Sequence, residues 1–125
     1  MEQHKELHKL TKKLLDYTRS IDEKYENVRS DGKEPDFYSE VKPFADQVID
    51  DCKTWEKGMK GWMAKESFRH LYPSQIEQTA GNLADVAVQC FFPKTSYKRF
   101  KSHIQSVRFI LQNTEDEISK KVEEE

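Results

Sequence analysis

The chain has 125 residues, 35% of them charged and 35% hydrophobic, and a formal net charge of −2. That length fits one domain and a core that needs neither metal nor disulfide. Periodic apolar positions, with seven Phe, five Tyr and two Trp, exclude a disordered chain, and no apolar run approaches the roughly 18 residues of a membrane helix.

The charge is unevenly spread. Residues 22–56 carry a net charge of −6, residues 86–114 hold five bases and no acid, and the tail 115–125 carries −4. Such blocks bind a partner or each other.

The first segment shows Leu7, Leu10, Leu14, Tyr17, Ile21, Tyr25 (or Lys24) and Val28 at steps of three and four, which predicts a helix from about Glu2 to Ser30 with one buried face. Its start is charged and lacks an apolar signal-peptide core. Residues 31–36, with Gly32 and Pro35, break the chain. Asp36 or Ser39 is placed to cap helix 2. Proline has no N–H and suits only a first turn. Pro43 therefore leaves two readings: helix 2 begins near Glu40, or a short turn over 36–41 joins it through a kink.

Helix 2 carries Val41, Phe44, Val48, Cys52, Trp55, Met59 and Trp62 on one face and is expected to persist to about Lys65, although Gly58 and Gly61 weaken it. The connection 66–73 contains Phe68, Leu71 and Tyr72 and is expected to fold back over one end of the molecule. Helix 3 opens at Ser74-Gln75-Ile76-Glu77, an S-x-x-E capping box, and runs to about Phe91. Thr95 or Ser96 caps helix 4, whose face reads Tyr97, Phe100, Ile104, Val107, Leu111, Thr114 and Ile118, ending at about Lys121. The fold class is all-α: an up-down-up-down antiparallel four-helix bundle, one domain over residues 1–125, with the acidic tail from about 119 frayed. This order brings the 31–36 and 92–95 loops to one end.

Chemistry is mostly absent. Di-iron bundles need two inward Glu-x-x-His motifs. The residues three before His4, His8, His70 and His103 are Met1, Lys5, Ser67 and Phe100, so that class is excluded. His4 and His8 have ligand spacing but no obvious third ligand, and are expected to be solvated. His103 is expected to form a hydrogen bond on the helix flank, and His70, near Glu66, has only a weak claim to acid–base work. Cys52 and Cys90 fall on core stripes and are expected as reduced, buried thiols, with a redox role the weaker alternative. No Gly-rich phosphate loop, G-x-S-x-G, H-E-x-x-H or C-x-x-C occurs, so catalysis has no positive support and no catalytic residue, cofactor or metal site is assigned.

Two surfaces stand out. Lys94, Lys98, Arg99 and Lys101, with Arg108, form a basic block at the start of helix 4, where cations oppose the helix dipole. They are candidates for an anion, or else neutralise the acidic 31–36 loop. Helix 3 has its core face at Ile76, Ala80, Leu83, Ala87 and Cys90. It also has a small-residue stripe, Gly81, Ala84 and Val88, and an amide row, Gln75, Gln78, Asn82 and Gln89. With Phe68, Leu71 and Tyr72 these make a candidate partner surface.

Tyr72-Pro73-Ser74-Gln75-Ile76, Asn82, Gln89-Cys90-Phe91-Phe92-Pro93-Lys94-Thr95 and the basic Tyr97-Lys98-Arg99-Phe100, with the paired Trp residues, resemble the YppE-like proteins of Bacillus and relatives over nearly the whole chain. The resemblance implies a compact cytosolic four-helix bundle without an assigned activity, and it carries over no site residues. The sequence therefore supports a small non-catalytic cytoplasmic interaction module, monomeric or weakly homodimeric, with a protein partner and no membrane contact. Anion or nucleic-acid binding comes second, and an enzyme without a recognisable motif third.

Overall fold

The computed structural model describes residues 2–33 and 35–124. Four helices, α1 (Glu2–Asp31), α2 (Lys42–Met63), α3 (Pro73–Gln89) and α4 (Tyr97–Glu124), follow one another, with a π-helical turn, Phe37–Val41, leading directly into α2. No strand occurs among the described residues. α1 packs beside α2 and α4, and α3 packs beside the same two helices on the far side. Cross-contacts fix the directions. Trp55 Nε1 donates to Thr11 Oγ1, Lys60 pairs with Glu77, and His8 lies 3.0 Å from Glu115 while Tyr25 donates to the Thr95 carbonyl. Each pair joins the start of one helix to the end of its neighbour, so the bundle runs up-down-up-down and α4 closes against α1.

Three of the four core stripes match the periodicity. α2 buries Val41, Val48, Cys52, Trp55, Met59 and Trp62, with Phe44 packed at the edge. α3 buries Ile76, Ala80, Leu83 and Ala87, with Cys90 buried just past its end. α4 buries Phe100 through Ile118 on its expected face, while Tyr97, expected to open that face, is exposed because it lies in the first turn at the bundle's end. α1 differs. Its buried row is Leu7, Thr11, Leu14, Thr18, Ile21 and Tyr25, while Leu10 and Tyr17 are pushed to the edge. The 4-3-4-3-4 spacing through two threonines is the true seam, since a Thr hydroxyl is compatible with burial when it bonds the preceding turn. Thr11 donates to the Leu7 carbonyl at 2.8 Å and Thr18 to the Leu15 carbonyl at 2.6 Å.

The breaks have local causes. Gly32 takes a positive φ of 67° and its N–H bonds the Val28 carbonyl, a left-handed cap on α1. Asp36 accepts from Ser39 N at 2.8 Å, and the Val41 and Lys42 N–H groups reach back five residues to the Asp36 and Phe37 carbonyls. That wide turn places Pro43 inside the first turn of α2, where its missing donor costs little. Of the two readings of this region, the turn that joins helix 2 is the one observed, and it joins in helical backbone conformation at Val41.

α2 passes through Gly58 and Gly61 without fraying and ends at Met63, two residues short of the expected Lys65. Gly58 has a packing role: a Cβ there would stand 2.6 Å from Leu7 Cδ2, so its bareness lets α1 approach. The capping box of α3 also lies elsewhere. The cap residue is Tyr72, Pro73 fills the first position, and Gln75 rather than Glu77 reaches back, accepting from Tyr72 N at 3.0 Å. Proline at the first helical position moves the whole frame two residues upstream of Ser74. Ser96 caps α4 through Arg99 N, and α4 continues to Glu124, past the expected end at Lys121 and through the tail expected to fray.

Candidate binding groove between helices 3 and 4

The 66–72 connection folds back as its apolar content requires. Phe68 meets the Trp62 ring edge-on at 5.3 Å and lies under the Lys121 ammonium, while Leu71 is 3% exposed. Both residues therefore serve the core and leave the candidate partner surface, because burying them is what closes this end of the bundle. Tyr72 stays on the surface at 62% exposure. The loop is held to α4 from two sides: Arg69 N donates to Glu117 Oε1, and Lys121 lies 3.5 Å from Glu66.

Helix 3 carries two different flanks. Gly81, Ala84 and Val88 share a face with Glu77, which pairs with Lys60 of α2. Gln75, Gln78 and Asn82 look the other way, into a groove beside α4. The small-residue stripe and the amide row therefore do not form one surface. Gly81 is exposed with nothing within 4 Å of a built Cβ, and Ala84 and Val88 are half-buried.

Three hollows adjoin along α3 and α4 through shared residues, Gln75 between the first two and His103 between the last two. At the upper end of this groove Arg69, His70, Phe109 and Glu117 meet Gln75. Gln75, Gln78 and Asn82 then face Ser106 and His103, and His103 in turn borders a shallow hollow with Ser96, Lys98, Arg99 and Ser102. Unusual polar atoms lie on the two helices that flank the groove. Gln89 Oε1, His103 Nδ1 and Glu117 Oε2 are buried and have no hydrogen-bond partner among the described residues. Gln89 lies seven residues on from Asn82, two turns along the same face. The flank hydrogen bond expected of His103 is thus not made at Nδ1 among the described residues. His70 is exposed with a positive φ of 56° and sits in a different hollow from His103. Phe109, 65% exposed on the groove's rim, escaped the sequence reading. Its signal was there: it falls two residues after the core position Val107, outside the seam.

The basic block divides. Lys101 lies 2.6 Å from Asp22 and 3.2 Å from Glu26 of α1 and is withdrawn from the candidate anion site. Burial pulls the Lys101 pKa down, but its hydrogen bonds to those two carboxylates outweigh this and hold it above the ordinary lysine value. Arg108 Nε donates to the buried Thr18 hydroxyl at 3.3 Å. Lys94, Lys98 and Arg99 carry no ion pair among the described residues, and the pairs that Lys101 makes go to α1; Glu34 of the 31–36 loop lies outside the described residues. Tyr97 is 47% exposed and stacks obliquely beside Tyr25 with the Arg29 guanidinium 4.7 Å from its ring centre, while Phe100 is fully buried.

Two histidines expected in solvent are engaged. His4 stacks on Trp62 with ring centres 3.8 Å apart, and His8 bonds Glu115. Antiparallel pairing of α1 with α2 and α4 puts these partners opposite, which one-helix reasoning does not reveal. Cys52 and Cys90 are free and buried, and burial pushes both thiols up to about 12. Among the described residues no group of three or more His, Cys, Asp or Glu is arranged to hold a metal, and no helix is long and apolar enough to cross a membrane.

An up-down-up-down helical bundle with a polar groove and uncommitted buried acceptors is a class defined by shape rather than by chemistry. The chain belongs to the bacterial domain-of-unknown-function family DUF1798, whose sequence pattern matches residues 11–118. It is 21% identical over 111 residues to the uncharacterized protein YppE of Bacillus subtilis (strain 168), covering 89% of this chain and 90% of that protein. Among solved structures, a Listeria innocua protein of unknown function is 30% identical, with a TM-score of 0.91 and 97% of each chain covered. The crystal structure of Bacillus subtilis YppE shares the fold at 20% identity, with a TM-score of 0.90 over 95% of this chain and 97% of that one. A Staphylococcus aureus DUF1798 protein matches at 25% identity and a TM-score of 0.82 over 92% of this chain and 97% of its own.

Proposed function

We propose that the protein is a non-catalytic cytoplasmic binding module that takes a polypeptide segment of a partner protein along the groove between α3 and α4. The observation that carries this reading is the set of buried, unbonded polar atoms on α3 and α4, Gln89 Oε1, His103 Nδ1 and Glu117 Oε2, beside the amide row Gln75, Gln78 and Asn82. A buried acceptor without a partner costs about 1–3 kcal/mol. Backbone N–H groups of a bound segment would satisfy the Gln89 and Glu117 oxygens, and a backbone N–H or C=O would satisfy His103 Nδ1 according to its tautomer, while side-chain amides match a peptide backbone as both donors and acceptors. The free, buried cysteines suit a reducing compartment.

The test is affinity capture from native cytoplasm with the full chain and with Asn82→Arg, which fills the groove at a half-buried position. A partner recovered by the first and lost by the second, with unchanged helicity, supports the reading. Equal recovery by both rejects it. A second reading, anion or nucleic-acid binding, has one observation in its favour: Lys94, Lys98 and Arg99 carry no ion pair among the described residues. Salt separates the two, since phosphate contacts weaken steeply with salt and amide contacts do not.

A further inference from the structure

We propose that two copies of this chain associate through the outer face of α4, antiparallel and about a two-fold axis. Lys98, Ser102, Gln105, Phe109, Gln112 and Asp116 recur at alternating steps of four and three and are all exposed, so they form one unpartnered face of a helix about 42 Å long. The face has an order that fits its own reverse. Its only large apolar side chain, Phe109, is 65% exposed and lies near the middle of Tyr97–Glu124. Toward the amino end the cations with no ion pair among the described residues are Lys98 and Arg99, since Lys101 and Arg108 are turned to α1. Toward the carboxyl end stand Asp116, bonded among the described residues by the Gln112 amide of its own helix, and the exposed Glu123 and Glu124.

A two-fold axis turns this gradient onto itself. It sets Lys98 and Arg99 of each copy against the acidic end of the other, and it covers both Phe109 rings. The register that opposes Lys98 to Glu123 of the second copy also opposes Phe109 to Gln112. A second copy is favoured over an unrelated protein because both halves of the complementarity are on this one helix. The face shares Lys98, Ser102, Phe109 and Asp116 with the hollows at the two ends of the groove, but its test reads self-association, which partner capture by the Asn82→Arg chain does not.

Sedimentation equilibrium of the full chain tests it. A dimer is expected at low salt, its Kd raised roughly tenfold at about 0.5 M salt by screening of exposed charges. The Lys98→Glu/Arg99→Glu chain and the Asp116→Lys/Glu123→Lys chain are each expected to be monomeric, and their mixture to form a heterodimer. Phe109→Ser, at an exposed position that leaves the core intact, is an independent arm and is expected to dissociate the pair. A chain that stays monomeric at all concentrations in low salt overturns the proposal. So does a dimer that survives both charge-reversed variants, and so does a mixture that fails to pair.

Discussion

Thr11 joins two helices through one oxygen. Its hydroxyl donates to the Leu7 carbonyl and accepts from the Trp55 indole N–H at 3.0 Å, and both side chains are fully buried. Thr11→Val keeps the shape and removes the acceptor, leaving the Trp55 N–H buried without a partner. The expected loss is about 1–3 kcal/mol in urea unfolding, with the Trp fluorescence of the native state changed. The cysteines give a pH prediction. Burial raises both thiols from 9.0 to about 12, so folding favours the protonated form. Above pH 9 the unfolded chain releases protons that the folded chain retains, and stability therefore falls as pH rises from about 9 toward 12. Below that window the thiols contribute no pH dependence, and native Cys52 and Cys90 should react with a thiol reagent far more slowly than in the denatured chain at neutral pH.

At the level of elements, three glycines inside helices have three different meanings. Gly61 and Gly81 meet nothing within 4 Å of a built Cβ, so Gly61→Ala and Gly81→Ala should each stabilise by up to about 1 kcal/mol, read as a rise in the thermal midpoint. Gly58→Ala should give less than this or destabilise, because the new methyl group meets Leu7 at the α1–α2 contact. Composition alone marks all three as weak points, and only the neighbouring helix separates them. The same holds for α1, where a scan for apolar residues selects Leu10 and Tyr17 over Thr11 and Thr18. The seam is legible once threonine is admitted to it, since its hydroxyl bonds its own helix and leaves the methyl group for the core.

For the whole molecule, each helix borders two others around one core, and long-range bonds tie both ends. Unfolding followed by Trp fluorescence, which reports α2, and by far-ultraviolet helicity, which reports all four helices, should therefore coincide in a single transition. At a concentration low enough for the chain to be monomeric, Phe109→Ala should leave that transition within about 0.5 kcal/mol of the original, because the ring of the single chain is mostly in water. Stability and association thus separate at this residue.

The helix number, the α2, α3 and α4 core faces and the positions of the turns were written into the sequence. Periodic burial and the backbone limits of Gly32 and Pro43 act within a few residues of where they are read. The candidate site was only half legible. The amide row of α3 could be placed on a face, but which helix it faces, and that Gly81, Ala84 and Val88 point to the opposite flank, follows from the packing order of the bundle. Likewise Lys101 looked like its basic neighbours until α1 brought Asp22 and Glu26 to it. The sequence by itself determined which face of α2, α3 and α4 leaves water, because that depends on spacing along one helix. The tertiary structure alone decided which polar groups meet and which are left without partners, because that depends on the register between helices far apart in the chain.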